Sequence, residues 1–340
     1  MAVSAKDVAA LAGVSRAAVS RTFTPGASVS AETSAKVRAA AEALGYHVNH
    51  LARGLISSQS GLVALIAAEV NTPYRSQLLA ALSSRLQAAG RVALFINTDR
   101  SDDSVEQALS KAISYRTDAA IVLSGMPALS LAETCLRYGM RLVLINRDEE
   151  RPGSMQIRLD DEASGRQAFA SLVAAGCRRL ALATSRAGTA SLTGREEGFR
   201  AAARDAGMEL IVDATGMTSY QTGLELGTRL MTQRERPDGV FCTTDLIACG
   251  VMDAARYRFS LRVPEDLSVI GFDDIEQAQW DSYDLTTFRQ PIDDIAQAAV
   301  DWLASPRAGT TPEPTCKALL SAQMVWRHSV AGSKGRGGPG

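Results

Sequence analysis

Two successive sets of short apolar runs constrain this chain more than any other feature. The first set is "LVALIAA" from residue 62, "RVALFIN" from 91, "AAIVLS" from 119 and "RLVLIN" from 141. The second is "RLALAT" from 179, "LIVDA" from 210, "GVFCTT" from 239 and "LSVIGF" from 267. Each run has strand length and is nearly continuous in apolar residues, the pattern of strands buried on both faces. Helix-like segments lie between them, near 75–89, 103–115 and 129–138, then near 162–175, 192–206, 219–233 and 245–257. Strands alternating with helices predict parallel sheets. Two such sets in series predict a body of two doubly wound α/β lobes. A ligand in such a body sits beyond the carboxyl ends of the strands.

The loops at those strand ends supply the candidate binding residues. "NTPYRSQ" gives Tyr74 and Arg75, "INRDEE" gives Arg147, and "SLTGREEGF" gives Ser191 and Arg195. "CTTDLIACG" gives Thr244 and Asp245, and "GFDDIE" gives Asp273. Asp245 reads better as a helix cap than as a ligand contact. Arg147 has a competing role, an ion pair with Asp148 or Glu149. Catalysis is not expected. The chain has no G-x-S-x-G, no H-E-x-x-H, no G-x-x-x-x-G-K-[ST] and no G-x-G-x-x-G after a strand. Its histidines are His47, His50 and His328, and only a returning His328 could serve a cleft in the body. Asp273 and Asp274 are carboxylates, but neighbouring side chains point apart more often than together. Cys135, Cys177, Cys242, Cys249 and Cys316 are scattered and odd in number, which fits reduced thiols in a cytosolic protein rather than a disulfide frame or a metal site. No cofactor or metal is expected.

The first 58 residues have a different character. They hold six basic residues against three acidic ones, a net of +3, in a chain whose total is −1. A basic head on an acidic body is the asymmetry expected when one end meets an anionic partner. Ser4-Ala-Lys-Asp7 suits a helix start, with Val8, Leu11 and Ala12 on one apolar face. Gly13 suits an abrupt stop. Ser15 can cap a second helix with Ala18, Val19 and Thr22 or Phe23 inward. A third helix is expected from Ser30 to Gly45. The outer start of the second helix carries Ser15, Arg16, Ala17 and Ser20, small residues beside an arginine, which suits a major groove. The same spacing also fits the edge of an alanine-rich helical bundle. Beyond it, "NHLARGL" is expected to form one short helix with Leu51 and Leu55 on one face, before a polar linker at 57–61. Leucines there need a place to bury, and a widened minor groove is one.

Taken together, "AKDVAALAGVSRAAVSRTF", "VSAETSAKVRAAAEALGY", "NHLARGL" and the distant "VIGFDDIEQA" and "DLTTFRQPIDDIAQAA" resemble the lac-repressor-type (LacI/GalR) transcription regulators. The resemblance runs in matching order over residues 3 to 328. It implies an N-terminal helix-turn-helix head and a periplasmic-binding-protein-like body. It places base reading on Arg16 and Ala17. Phosphate or base contacts fall on Ser15, Ser20 and Arg21, a further DNA contact on Thr24, and hinge contacts on Asn49, Ala52 and Leu55, with Leu55 the wedge at the operator centre. It places effector hydroxyls on Arg195 and Asp273. Departures are Val48 for the usual proline, Thr24 for the usual asparagine, and Thr244 where an amide is common. Thr218 and Arg75 replace aromatic residues. Fewer aromatic walls and an added arginine suit a small anionic ligand, a sugar acid or sugar phosphate, held by Arg75, Arg147 and Arg195.

The expected organisation is a DNA-binding head at 1–47, a hinge at 48–60, an effector domain at 61–330 and a disordered glycine-rich tail at 331–340. Within the effector domain, one lobe takes 61–160 and 292–320 and the other takes 161–291 and 321–330. No apolar run approaches the ~18 residues of a membrane span, and no export signal is evident, so a cytoplasmic regulator on nucleoid DNA is expected. A homodimer on a palindromic operator is the minimal competent unit, with ligand shifting the lobes and through them the hinge. A two-lobed carbohydrate sensor without specific DNA readout is the alternative.

Overall fold

The structure, a computed structural model, describes residues 3–24, 26–47, 60–99, 101–123, 129–147, 151–306 and 314–332. The chain divides into two compact units, Met1–Ser60 and Gly61–Gly340.

In the first unit, α1 (Ala5–Ala12) starts where Ser4 donates to the Asp7 carboxylate from both its hydroxyl, at 2.7 Å, and its amide, at 2.9 Å. Those bonds hold the Asp7 carboxyl below its ordinary value. Gly13 takes a φ of 65°, the left-handed conformation that glycine adopts without steric cost. Ser15 then accepts from the Ala18 amide at 3.2 Å and caps α2 (Arg16–Thr22). α3 (Ala31–Leu44) starts at Ser30 and ends at Gly45. Val8, Ala9, Val19, Val37, Ala40 and Ala41 form the core. Leu11, expected on the inner face, is 57% exposed. Burial of Ala9 beside Val8 turns the inner arc of α1 away from it.

The second unit begins with β1 (Leu62–Ala67), α4 (Pro73–Ala88), β2 (Val92–Asn97), α5 (Asp102–Ser114), β3 (Ala119–Val122), α6 (Leu129–Arg137), β4 (Arg141–Ile145) and β5 (Met155–Leu159). Its other lobe follows with α7 (Asp161–Ala174), β6 (Leu180–Ser185), α8 (Ala190–Asp205), β7 (Leu210–Thr215), α9 (Tyr220–Met231), β8 (Gly239–Cys242), α10 (Asp245–Asp253) and β9 (Ser268–Ile270). The chain ends in β10 (Thr287–Arg289), α11 (Ile292–Ala304), β11 (Cys316–Leu320) and β12 (Gln323–Val325). Among the described residues, one parallel sheet has the order β11-β5-β4-β3-β1-β2 and the other β7-β6-β8-β9. β10 and β12 pair antiparallel. The chain therefore passes between the lobes after β5, after β10 and after β11.

Both faces of the first sheet are covered. Val63, Leu65 and Ala67 of β1 meet Leu78, Leu82 and Leu86 of α4, while Ala64 and Ile66 meet Val105 and Leu109 of α5. That two-sided burial is why the strands read as unbroken apolar runs. β2 departs from the expectation. It is an edge strand, and Val92 and Phe95 are 60% and 45% exposed. β5, β10, β11 and β12 were not evident in the sequence. β5 is interrupted by Gln156 and Arg158, β10 and β12 are three residues long, and β11 lies at the sheet edge with Cys316, Lys317 and Leu319 exposed.

In the second lobe, Phe199 of α8 stacks on Phe241 of β8 at 5.2 Å and meets Phe169 of α7 edge-on at 5.7 Å. α7 and α8 approach closely enough that only glycine fits at Gly165 and Gly198. A Cβ at Gly165 would overlap the Arg195 carbonyl oxygen, and one at Gly198 would overlap that of Glu162. This contact sets where Arg195 stands. Gly165→Ala is expected to cost about 1–3 kcal/mol or more through overpacking, read as a lower urea midpoint. An unchanged midpoint would show that the two helices are not held at this distance.

Candidate functional site

A cleft enclosing about 750 Å³, part of it open to solvent, lies at the carboxyl ends of the strands of both lobes. All seven expected effector residues line it. Tyr74 and Arg75 come from the start of α4 and Arg147 from the end of β4. Ser191 and Arg195 come from the first turns of α8, Thr244 from the cap of α10, and Asp273 from the loop after β9. Glu69, Asn146, Thr189 and Gln290 also line it and were not singled out. Asn146 and Thr189 follow strands as the others do. Gln290 lies where the chain leaves β10 for the first lobe, a strand too short to show its end.

Arg195 is 3% exposed. Its Nε donates to Asp161 Oδ1 at 2.8 Å and its Nη1 to the Thr243 carbonyl at 2.8 Å. Asp273 Oδ1 stands 3.8 Å from Nη1, and the guanidinium lies 3.5 Å from the centre of the Phe272 ring. Burying a cation this deeply is tolerable only with such pairing. Nη2 makes no hydrogen bond among the described residues and can serve a ligand.

Asp273 has a φ of 131°, a conformation that non-glycine residues hold at a cost of order 1–3 kcal/mol. Its amide donates to the Phe288 carbonyl at 2.9 Å, and Gln290 Nε2 donates to its Oδ1 at 2.6 Å. Burial raises its carboxyl to about 6, with Arg195 opposing the rise. Asp274 points away, as expected for adjacent carboxylates, and accepts from Arg289 Nε at 2.6 Å and from Arg327 Nη2. Asp245 is neither a cleft residue nor the cap. It is fully buried and accepts from the Ile275 amide at 3.0 Å and from the Thr287 hydroxyl. Burial, reinforced by the charge of Asp273, raises its carboxyl to about 7. Thr244 is the cap of α10, at 3.5 Å from the Ile247 amide.

The three arginines are arranged differently from one another. Arg75 Nη1 and Arg147 Nη2 both donate to the Leu123 carbonyl, the latter at 2.8 Å, whereas Arg195 belongs to the acidic residues of the second lobe. Asp148 and Glu149, the suggested partners of Arg147, lie outside the described residues. Gln290 Oε1 is buried without a hydrogen-bond partner among the described residues, and the buried Tyr74 hydroxyl has the Asn146 side chain beside it. Burial pushes the Tyr74 phenol up to about 12, so it remains a neutral donor. Orphaned buried polar atoms at a cleft are explained by a ligand that completes them. His328 pairs with Asp284 and does not line the cleft.

In the head, Val19 and Thr22 hold α2 to the core while Arg16, Ala17, Ser20 and Arg21 are exposed on its outer side. Ser15, at the cap, and Thr24 are exposed too, and the Thr24 hydroxyl donates to the Ser20 carbonyl at 2.8 Å. Asn49, Ala52 and Leu55 lie outside the described residues.

Residues 4–49 match the family described as bacterial regulatory proteins, lacI family. Residues 169–330 match the periplasmic binding protein-like domain. The ribose operon repressor of Escherichia coli (strain K12) is 30% identical over 301 residues, 88% of this chain and 91% of the relative. The chain belongs to the lacI family of bacterial regulatory proteins. This lacI-family chain is also 30% identical to the E. coli (strain K12) regulator GalR over 330 residues, 96% of this chain and 95% of the relative. The lac repressor dimer bound to operator and the anti-inducer ONPF superposes with a TM-score of 0.87 at 26% identity, covering 97% of this chain and 100% of that one. The CelR–cellobiose complex gives 0.70 at 26% identity, covering 96% and 99%. These relatives are transcriptional regulators, and this chain is a DNA-binding regulator rather than an enzyme. No helix among the described residues is long and apolar enough to cross a membrane.

The Asp245 carboxyl also makes the folding of this lacI-family chain pH-dependent. Its folded value, about 7, exceeds the ordinary 3.8. Its contribution to stability is therefore greatest below about pH 4 and declines as pH rises toward 7. Asp245→Asn keeps an acceptor for Ile275 and places an amide donor beside the Thr287 hydroxyl. The melting temperature of this variant should fall less than that of the wild type between about pH 4 and pH 7. Equal declines would show that Asp245 is not held protonated by the fold.

Proposed function

We propose that this chain is a transcriptional repressor that binds a palindromic operator as a homodimer and responds to an anionic sugar derivative, a sugar acid or sugar phosphate. The observation that carries the ligand reading is the cleft lining, in which Arg75, Arg147 and Arg195 meet hydroxyl-bearing walls with Tyr74 as an aromatic contribution. Guanidinium forks suit carboxylate and phosphate, and hydroxyl and carboxylate acceptors suit a polyol. The relation to a lac repressor dimer bound to operator, and to a regulator bound to cellobiose, supports both partners in kind.

On this reading Arg16 and Ala17 meet base edges, Ser15, Ser20, Arg21 and Thr24 secure the helix on the backbone, and Asn49, Ala52 and Leu55 act at the operator centre. The proposed functional units are the head at 1–47, the hinge at 48–60 and the effector domain at 61–330. The ligand can change operator affinity only by the difference in its affinity for two states of the protein, typically ~1–3 kcal/mol.

Selection of bound genomic fragments by the purified protein, near physiological salt, tests the DNA reading. A palindrome with a flexible central step is expected, and enrichment of no sequence with or without sugar acids and phosphates would overturn it. Arg16→Ala should relax preference by about 1–3 kcal/mol at one position per half-site. A uniform loss on all sequences would make Arg16 a phosphate contact. Leu55→Ala should weaken operator binding and spare ligand binding, and unchanged operator affinity would remove its wedge role.

A further inference from the structure

We propose that α11 connects the cleft to the start of the body, with Arg91, Asp118 and Arg141 as the residues that position Gly61, where the hinge segment joins. The proposal deepens the reading of a ligand-responsive repressor and rests on it.

The first sheet is parallel, so the amino ends of its strands share one edge, opposite the cleft. Four residues of this edge stand at strand starts: Gly61 before β1, Arg91 before β2, Asp118 before β3 and Arg141 at the head of β4. The Gly61 amide donates to Asp118 Oδ2 at 2.9 Å, and its carbonyl accepts from the Val92 amide at 2.8 Å. Arg91 Nη1 stands 3.8 Å from the same Asp118 oxygen, and the two side chains are only 22% and 16% exposed, so salt screens this pair less than a surface pair. Arg91 Nη2 also donates to the Leu303 carbonyl at 3.5 Å. Arg141 Nη1 donates to the carbonyls of Leu303, at 3.3 Å, and Ser305, at 2.7 Å, and its guanidinium lies 3.9 Å from the centre of the Trp302 ring. Trp302, Leu303 and Ser305 form the end of α11, whose last turn has no basic residue of its own. The last carbonyls of a helix attract cations, and here the sheet edge supplies them.

The other end of α11 starts at the cleft. Gln290 donates to Asp273 Oδ1 at 2.6 Å, the Ile292 amide donates back to the Gln290 carbonyl at 2.9 Å, and the Ile295 amide to that of Pro291 at 2.9 Å. Little slack separates Gln290 from the first turn. Asp273 belongs to the second lobe and α11 to the first, so a shift of the lobes must either break the Gln290 bond or move the helix. The 13 residues of α11 span about 20 Å. Ile295, Ala299 and Leu303 share a core with Leu78, Leu82 and Leu86 of α4, and Arg85 of α4 donates to Gln297 Oε1 at 2.5 Å. A packed helix of this kind moves by sliding along its neighbour, which carries a displacement at Gln290 to Leu303 and Ser305. β1 offers a rival route from the cleft to Gly61, but it stays within the first lobe, paired with β2 and β3.

Hydrogen exchange on the full chain, read on peptides that contain Gly61 and Leu62, tests the connection without ligand or DNA. Gln290→Met keeps the side-chain length and removes the bond to Asp273. It should speed exchange at Gly61 and Leu62 roughly 3-fold or more, while β6 stays as protected as in the wild type. If β6 also loses protection, Gln290→Asn, polar but one methylene too short, takes its place. Arg141→Gln should act in the same direction, and Arg141→Lys should act less. The double variant should fall well short of the product of the single effects, because both changes break one connection. No change at Gly61 with Gln290→Met, or an effect that persists in full beside Arg141→Gln, would overturn the proposal, and the latter would assign the coupling to β1. Affinity for the palindrome enriched by the selection above should show the same non-additivity, and independent effects there would also overturn the proposal. If no palindrome is enriched, the repressor reading falls, and the exchange experiment still decides whether α11 joins the two ends.

Discussion

The buried guanidinium of Arg195 is the constraint on which the cleft depends. An unpaired cation in that position would be unaffordable in free energy, so several elements must deliver partners at once. Asp161 comes from the first residue of α7, the Thr243 carbonyl from the end of β8, and Phe272 and Asp273 from the loop after β9. Removing one partner of such a group typically costs 3–5 kcal/mol because the other charge is left stranded. The same geometry explains the glycines. α8 can bring Arg195 to Asp161 only by lying against α7, and that closeness leaves no space for a Cβ at Gly165 or Gly198.

Asp273 is held in place by both strain and bonding. Its positive φ aims the carboxylate into the cleft while the next residue, Asp274, is turned toward Arg289 and Arg327. Gln290 secures Asp273 from the segment that leads out of β10 into α11 of the other lobe. A ligand touching Asp273 therefore touches a group bonded directly to one of the chain crossings between the lobes. Such an arrangement allows a binding event to bias the relation of the lobes, because a ligand acts through whatever contacts differ between two states.

The head uses a different economy. Its core is small, and alanines at 9, 40 and 41 bring three helices together with little side-chain volume between them. The same smallness on the outer face of α2, at Ala17 and Ser20, leaves the arginines at 16 and 21 as the large exposed groups there. Charge on a slender helix, rather than buried area, is what such a surface offers to an anionic polymer.

The amino-acid sequence determined the parts whose physics is local. Glycine at 13 and 45 and serine at 15 and 30 fix the limits of the head helices, and unbroken apolar runs mark the strands buried on both faces. Because the ligand cleft of a parallel sheet follows from strand direction, the residues after those strands were also legible, and Tyr74, Arg75, Arg147, Ser191, Arg195, Thr244 and Asp273 do meet in one cleft. The tertiary structure decided what depends on pairing across the chain. β11 joins β5 and β12 joins β10, over separations that no periodicity reports. Asp245 proved to be a buried acceptor instead of a cap, and Gln290 a cleft residue. Each of those outcomes turns on which distant partner satisfies a polar atom, and burial decides the cost of leaving it unsatisfied.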